Sequence, residues 1–235
     1  MFGVNVSAGR AAGCAGLGSL LGVVATGPLL TWQGSLFSDS SAEPSVDDGF
    51  TGLVRHQLDD TAWVDVLPGW VAGADRLFQW VVDTASWYEA EITIHGKRML
   101  QPRLLASWPY SPGVDSLPPI FERIRAVLSE RYGETFDSVH ANLYRDGRDS
   151  VAWHGDRIAR SVRDPLVAIV SLGEPRRLLL RPRGGPTRHT FHLGGGDLMV
   201  MGGSAQRTWQ HSVPKVASAG PRISVTLRHS RNASC

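Results

Sequence analysis

Cysteine, lysine and uninterrupted apolar runs are all scarce in this chain of 235 residues. Its two cysteines, Cys14 and Cys235, lie at opposite ends of the chain, so neither a disulfide framework nor a zinc-finger spacing is present. A reducing compartment is the default for such a chain, and we expect a cytoplasmic protein. Lys97 and Lys215 are the only lysines, so arginine, which suits forked contacts to carboxylates and phosphates, carries nearly all of the positive charge. The formal net charge of +2 is compatible with a nucleic-acid partner but does not indicate one.

The stretch from Ala11 to Leu30 has no charge and superficially resembles a signal peptide. Glycines interrupt it repeatedly, which is unfavourable for a membrane-spanning helix. In descending order we consider a disordered extension or misplaced start, a secretion signal and a membrane helix. Residues 38–50 then form a polar, acidic linker. We therefore assign residues 1–45 to a disordered N-terminal extension and linker, and expect a monomer without a membrane partner.

Helical periodicity is confined to the first part of the chain. After a short strand and turn within residues 61–71, a helix is predicted through residues 74–87. A second helix is predicted within residues 117–133, because apolar residues recur there at i, i+4 and i+7. Pro119 suits its first turn and Gly133 its end.

The last hundred residues favour β-structure. Several short strands separated by Gly, Pro and Asp turns predict a β-sandwich or small barrel. We therefore predict an α+β chain with a double-stranded β-helix (jelly-roll) core and N-terminal helices packed against it. The predicted strands lie within residues 138–145, 165–173, 176–183, 189–203, 209–215 and 221–230.

The segment SVAWHGDRIAR, residues 150–160, places His154 and Asp156 two positions apart. In a β-strand, side chains at i and i+2 project to the same face, so an imidazole nitrogen and a carboxylate oxygen would converge. One further histidine would complete a facial triad with open coordination positions, which suits Fe(II) better than structural zinc. A surface His–Asp hydrogen bond is the simpler alternative for this pair alone.

The third ligand has to come from a distant strand. His211 follows a buried apolar run and a turn that could return it to the pair, so we favour it. His189 and His192 flank a glycine-rich turn and are expected to face solvent. His229 is close to the end of the chain, but its spacing does not exclude it.

The segment RISVTLR places Arg222, Ser224 and Arg228 on one face of a predicted strand. A buried pair of arginines beside a metal site would favour the binding of an anion that carries two carboxylates. One arginine could hold the distal carboxylate through two hydrogen bonds, and the other could brace the metal-bound end or the aspartate ligand. Without the upstream His-x-Asp pair, two surface arginines on an edge strand would be the preferred interpretation.

Together, the segments NLYRDGRDSVAWHGD, DPLVAIVSLG, GDLMVMGGSAQRTWQHSVPK and PRISVTLR resemble the AlkB family of Fe(II)/2-oxoglutarate dioxygenases. The resemblance covers roughly residues 100–230 and implies a jelly-roll catalytic domain over residues 131–232. It implies Fe(II) bound by His154, Asp156 and His211. The implied binding residues for 2-oxoglutarate are Arg222 at the distal carboxylate, Arg228 near the chelating end, Asn142 and Tyr144 as further hydrogen-bond donors, and Ser224, where repair members often have asparagine.

The resemblance also implies an activity: oxidative demethylation with Fe(II), 2-oxoglutarate and O2. The implied substrates are N-alkylated bases in DNA or RNA, such as 1-methyladenine and 3-methylcytosine, whose demethylation directly reverses alkylation damage. Two alternatives stay open, namely the same chemistry on modified tRNA or a protein side chain, and an inactive nucleic-acid-binding homologue. The intact His, Asp and Arg set argues against the inactive homologue.

The segment QPRLLASWPY, residues 101–110, is similar to the family's Pro-Arg segment in the lid that contacts nucleic acid. This places helices and a nucleotide-recognition lid in residues 46–130. Arg103 could contact phosphate, and Trp108 or Tyr110 could stack on a base, although both aromatics could equally be core or loop residues. The sequence departs from the family at Ile158, because repair members usually have there an acidic residue that reads the base edge.

Overall fold

The computed structural model describes residue 30 and residues 42–94, 96–109, 117–156, 158 and 162–229. Helices in these ranges are α1 (Ala74–Thr84), α2 (Pro119–Tyr132) and the single turn α3 (Ala205–Thr208). The strands are β1 (Ser45–Val46), β2 (Val54–Gln57), β3 (Ala62–Leu67), β4 (Val71–Ala72), β5 (Glu91–Ile94), β6 (Lys97–Leu100), β7 (Leu104–Pro109), β8 (Ser138–Tyr144), β9 (Val151–His154), β10 (Val167–Gly173), β11 (Arg176–Pro182), β12 (His189–Leu193), β13 (Leu198–Gly203), β14 (Trp209–Val213) and β15 (Arg222–Arg228).

Two antiparallel sheets form the core. The larger has seven strands in the order β2-β3-β13-β10-β15-β8-β7, and the smaller has four in the order β12-β11-β14-β9. Side chains alternate between two apolar layers: Ala168 and Val170 of β10 pack with the helices, whereas Val167 and Ile169 pack with the smaller sheet. The predicted jelly-roll core with helices packed against it is confirmed.

Helix α2 forms where the sequence predicts it. It begins at Pro119 and buries Phe121, Ile124 and Leu128 against the larger sheet. Gly133 ends it with φ of 70°, a left-handed conformation that favours glycine, and donates its backbone N–H to the carbonyl of Ser129. Helix α1 ends at Thr84 rather than at residue 87, because the backbone becomes extended at Ala85.

The N-terminal half contributes more to the sheet than the sequence predicts. Strands β2, β3 and β7 all belong to the seven-stranded sheet, so the division at residue 130 does not separate two cores. Residues 104–109 of the expected lid form the edge strand β7. A separate two-stranded hairpin, β5–β6, precedes this strand and is not among the predicted elements. Its first strand alternates polar and apolar residues but is only four residues long, and its second strand does not alternate.

The predictions for the N-terminal extension lie almost wholly outside the described residues, which include only residues 30 and 42–45 of that range. Within the described ranges, no helix is long and apolar enough to span a membrane.

Candidate active site

A cavity between the two sheets collects the residues that the sequence predicted for iron and cosubstrate. We call it the site cavity. Its wall on the larger sheet comes from β8, β15 and β10, and its wall on the smaller sheet comes from β9, β11 and β14. The lining residues are Arg103, Asn142, Tyr144, Val151, His154, Asp156, Val167, Ile169, Leu178, His211, Val213, Arg222, Ser224, Thr226 and Arg228.

His154, Asp156 and His211 place one ligand atom each within 4.8 Å of one another. Oδ1 of Asp156 lies 3.5 Å from Nε2 of His154 and 3.8 Å from Nε2 of His211. The two histidines meet because β14 pairs with β9 in a register that sets His211 directly opposite His154. The donor set of two imidazoles and one carboxylate, with its remaining side open to the cavity, fits Fe(II).

Neighbouring groups fix the orientation of the ligands His154 and Asp156. Nδ1 of His154 donates to the carbonyl of Ala152 at 2.9 Å, which leaves Nε2 free to face Asp156. The backbone N–H of Asp156 donates to Oε1 of Gln206 in α3 at 2.9 Å. Such partners determine the tautomer and the direction of each ligand before a metal binds.

The structure corrects one step of the strand argument. Strand β9 ends at His154, so Asp156 lies two residues beyond the strand rather than on its face. The intervening Gly155 is required there, because a Cβ at this position would lie 2.8 Å from the backbone oxygen of Gln206. The loop therefore approaches α3 closely enough to turn Asp156 back toward His154.

Charge and burial set the protonation of these groups. Burial would raise the pKa of Asp156, but the contact with His154 and the charge of Arg228 outweigh it and lower the pKa below its ordinary value. Burial, assisted by His154, lowers the pKa of His211 to about 3. The carboxylate is thus ionised and the His211 imidazole neutral near pH 7, which are the forms that bind metal.

Arg222 has the environment of an anion anchor. Its side chain is 1% exposed, and its Nε donates to Oγ of Ser171 at 3.0 Å. Neither Nη1 nor Nη2 has a hydrogen-bond partner among the described residues. A buried cation with unpaired N–H groups costs free energy until an acceptor binds. The planar fork fits a carboxylate, so the site fits 2-oxoglutarate as well as iron.

Asn142 and Tyr144 line the same cavity from consecutive cavity-facing positions of β8. Oδ1 of Asn142 accepts a hydrogen bond from Nε of Arg103 at 2.9 Å. Arg103 is thereby directed into the site cavity, where burial lowers its pKa. The Pro-Arg resemblance had assigned Arg103 to a phosphate; the structure gives it a contact to a predicted cosubstrate residue, and a phosphate contact stays a prediction.

Trp108 is not among the residues that line the site cavity. Trp108 packs edge-on against Phe121 of α2, with ring centroids 5.2 Å apart, and belongs to the helix-side core. This matches the alternative that Trp108 is a core aromatic, and its stacking on a base stays a prediction. Tyr110 lies outside the described residues.

The other three histidines considered for the third ligand do not belong to the triad. His189 and His192 lie on β12, at the opposite edge of the smaller sheet from β9. His229 is buried with its Nε2 3.5 Å from Oε2 of Glu134. Ile158, which replaces the expected acidic residue, is buried in the apolar layer between the sheets and offers no acceptor to a base.

Comparison with known proteins identifies the family. The model of the 2OG-Fe(II) oxygenase superfamily matches residues 75–228. The chain is also 30% identical to alpha-ketoglutarate-dependent dioxygenase alkB homolog 3 of Homo sapiens, over 79% of this chain and 73% of that protein. The chain belongs to the AlkB family of 2OG-Fe(II) oxygenases. This AlkB-family enzyme therefore uses Fe(II), with 2-oxoglutarate and O2 as cosubstrates.

Two further relatives extend the comparison. The AlkB-family enzyme is 32% identical to DNA oxidative demethylase ALKBH2 of Arabidopsis thaliana, over 60% of this chain and 57% of that protein. Among solved structures, OsALKBH1 covers 75% of this chain and is itself covered completely, with a TM-score of 0.52 and 14% identity. At this identity the structural likeness supports the fold alone.

Proposed function

We propose that this AlkB-family oxygenase removes methyl groups from N-alkylated bases, 1-methyladenine and 3-methylcytosine, in DNA or RNA. The observation that carries the proposal is the pairing of an open His154–Asp156–His211 site with the unpaired, buried fork of Arg222. The names of the relatives support the substrate, since ALKBH2 of Arabidopsis thaliana is called a DNA oxidative demethylase. The reaction would restore the unmodified base directly.

The chemistry divides between the bound groups and the protein. When bound, Fe(II) with 2-oxoglutarate and O2 supplies the oxidation of a methyl C–H bond to a hydroxymethyl group, and 2-oxoglutarate becomes succinate and CO2. The hydroxymethyl group then leaves as formaldehyde, and the nitrogen of the base regains an unsubstituted form. The protein contributes ligation, orientation and exclusion of water.

Four residues that line the cavity would bind and orient the cosubstrate or hold the aspartate ligand. Arg222 would hold the distal carboxylate of 2-oxoglutarate, since its free N–H groups are the buried donors available there. Asn142 and Tyr144 would orient the cosubstrate from β8. Arg228 would hold the ligand Asp156 in place through a hydrogen bond of 2.6 Å.

The β5–β6 hairpin is a candidate surface for nucleic acid. It forms a two-stranded sheet of its own, and three of its apolar side chains, Ile92, Met99 and Leu100, are exposed. Ile92 and Met99 are direct cross-strand partners and therefore share one face. Lys97 lies two residues before Met99 and therefore on the same face, so bases could pack on Ile92 and Met99 while a phosphate meets Lys97.

The chain leads from this hairpin directly to Arg103 in the site cavity. A base held inside a duplex could not reach ligands enclosed between two sheets, so it would have to be extruded or single-stranded. Methylation that prevents Watson–Crick pairing lowers the cost of extrusion, so the damage itself would contribute selectivity.

The test is a direct assay. The protein is incubated without oxygen with Fe(II) and 2-oxoglutarate, and air is then admitted with oligonucleotides containing single methylated bases. Formaldehyde, succinate and the unmodified base should appear in equal amounts, and unmethylated oligonucleotides should give none of the base-derived products. Turnover of 2-oxoglutarate that responds to a peptide or a free metabolite, and to none of the methylated oligonucleotides, would refute the proposal.

A further inference from the structure

Strand β8 carries a cavity-side histidine that has no part in the site as described so far. Val139, Ala141 and Leu143 are buried in the helix-side core. Since side chains alternate along a strand, His140 lies on the opposite face, together with Asn142 and Tyr144. His140 is therefore the next side chain after Asn142 on this face of β8, just beyond the residues that line the site cavity.

The strand register places His140 beside the iron end of the cavity. On one side His140 is directly opposite Thr226, which lines the cavity, and on the other it is opposite Ser107. Direct cross-strand partners have Cβ atoms roughly 4.5–5.5 Å apart, so these three side chains form a continuous polar row. The next cavity-facing residue of β15 after Thr226 is Arg228, which holds Asp156.

The His140 ring is available for a contact. It is half-buried, and the described residues give it no hydrogen-bond or ion-pair partner. The neighbouring polar groups are already engaged, Asn142 with Arg103 and Arg228 with Asp156. Burial, and after it the charge of Arg228, lowers the pKa of His140 from its ordinary value, so near pH 7 one ring nitrogen carries a free lone pair.

We propose that His140 contacts the extruded base and selects cationic bases that carry an exocyclic amino group. The inference rests on the proposed demethylase function. 1-Methyladenine and 3-methylcytosine are positively charged, and the amino group next to the methylated nitrogen donates hydrogen bonds. A neutral imidazole nitrogen accepts such a bond, and bonds to charged groups are stronger than bonds between neutral groups.

Two neutral methylated bases of similar size, 1-methylguanine and 3-methylthymine, can be compared with this cationic pair. Both place a carbonyl oxygen at the position of the adenine or cytosine amino group. The 2-amino group of 1-methylguanine lies on the other side of the methylated nitrogen and carries no share of a positive charge. His140 gains less from them, because the hydrogen bond is then between two neutral groups. The proposal thus predicts a preference for the two cationic bases that depends on the His140 side chain.

The experiment compares the Fe(II)- and 2-oxoglutarate-loaded wild-type protein with His140→Leu and His140→Gln on four single-stranded oligonucleotides, one for each methylated base. His192→Leu serves as the matched control, since His192 is exposed on β12 at the far edge of the smaller sheet. Values of kcat/KM are measured for each base. Binding of the same oligonucleotides is measured without oxygen, with Mn(II) in place of Fe(II).

In His140→Leu the preference for the two cationic over the two neutral bases should fall about tenfold in both kcat/KM and affinity, corresponding to one hydrogen bond to a charged group. His140→Gln, which keeps an acceptor oxygen, should retain part of the preference, and His192→Leu all of it. The affinity for 2-oxoglutarate should not change in any variant.

An unchanged preference in His140→Leu, or an equal loss on all four bases, would overturn the role of His140 and leave the demethylase function standing. A wild-type protein that demethylates none of the oligonucleotides would overturn both.

Discussion

Nε of Arg228 donates a hydrogen bond of 2.6 Å to Oδ2 of Asp156, so the last residue of β15 holds the carboxylate that faces both histidines. The sequence left two roles open for Arg228, at the chelating end of the cosubstrate or at the aspartate. The observed contact favours the aspartate. Arg222, at the other end of the same strand, keeps Nη1 and Nη2 without a partner among the described residues, and these are the groups that can meet an anion.

Replacing Arg228 by methionine should weaken metal binding. Partners that orient a metal ligand typically contribute about 10- to 100-fold to metal affinity or activity, and we expect a loss in that range. The measurement is a titration of Fe(II) or Mn(II) without oxygen, with the exposed Arg177→Met of β11 as control. Equal metal affinity in the two variants would show that the hydrogen bond to Asp156 does not matter for binding.

Asp156→Ala should abolish turnover while leaving the fold intact. The carboxylate is one of three groups that converge within 4.8 Å, and the substitution also leaves Arg228 without its partner. Succinate formation and thermal unfolding, followed by circular dichroism, measure the two effects separately. Full activity in this variant would remove Asp156 from the set of ligands.

Arg222→Lys should raise the apparent 2-oxoglutarate constant about ten- to a hundredfold, because a lysine cannot form the forked contact and hydrogen bonds to charged groups contribute roughly 1.5–3 kcal/mol. Metal affinity should stay at the wild-type value, since Arg222 contacts none of the three ligands among the described residues. The check is a 2-oxoglutarate titration at saturating Fe(II). If the constant is unchanged, the anchor is a different residue, and Arg228 is the first candidate.

A double substitution on the β5–β6 hairpin, Ile92→Ser with Met99→Ser, should weaken oligonucleotide binding severalfold. The two side chains form an exposed apolar face, which a bound oligonucleotide would bury. Fluorescence anisotropy of a labelled single strand measures the loss, and Val54→Ser, an equally exposed apolar position on β2, is the control. Equal affinity in both proteins would exclude this face as the contact surface.

Ile158→Ala should lower the free energy of unfolding by roughly 2–5 kcal/mol, because Ile158 is buried in the layer between the sheets. It should not alter the order in which methylated bases are preferred. Since Ile158 offers no base-edge acceptor, 1-methyladenine and 3-methylcytosine should be demethylated at comparable rates in the wild type. Urea unfolding and rates on the two oligonucleotides provide the check, and a changed preference would place Ile158 at the substrate.

The sequence alone determined which groups share a face. Arg222, Ser224 and Arg228 share one face of β15, and Asn142 and Tyr144 share one face of β8, because the alternation of side chains along a strand is a local property of the backbone. Helix α2 follows from the same kind of local information, namely its apolar period, its proline and its terminal glycine.

Only the tertiary structure decided which of these faces meet. The sequence favoured His211 over three other histidines but could not show that it reaches the pair, and the β14–β9 register does so by setting His211 opposite His154. The same applies to Arg103, which is directed to Asn142 by its position beside β7, and to Trp108, which α2 draws into the core. Strand order and register depend on contacts between residues far apart in the chain, and no local pattern encodes them.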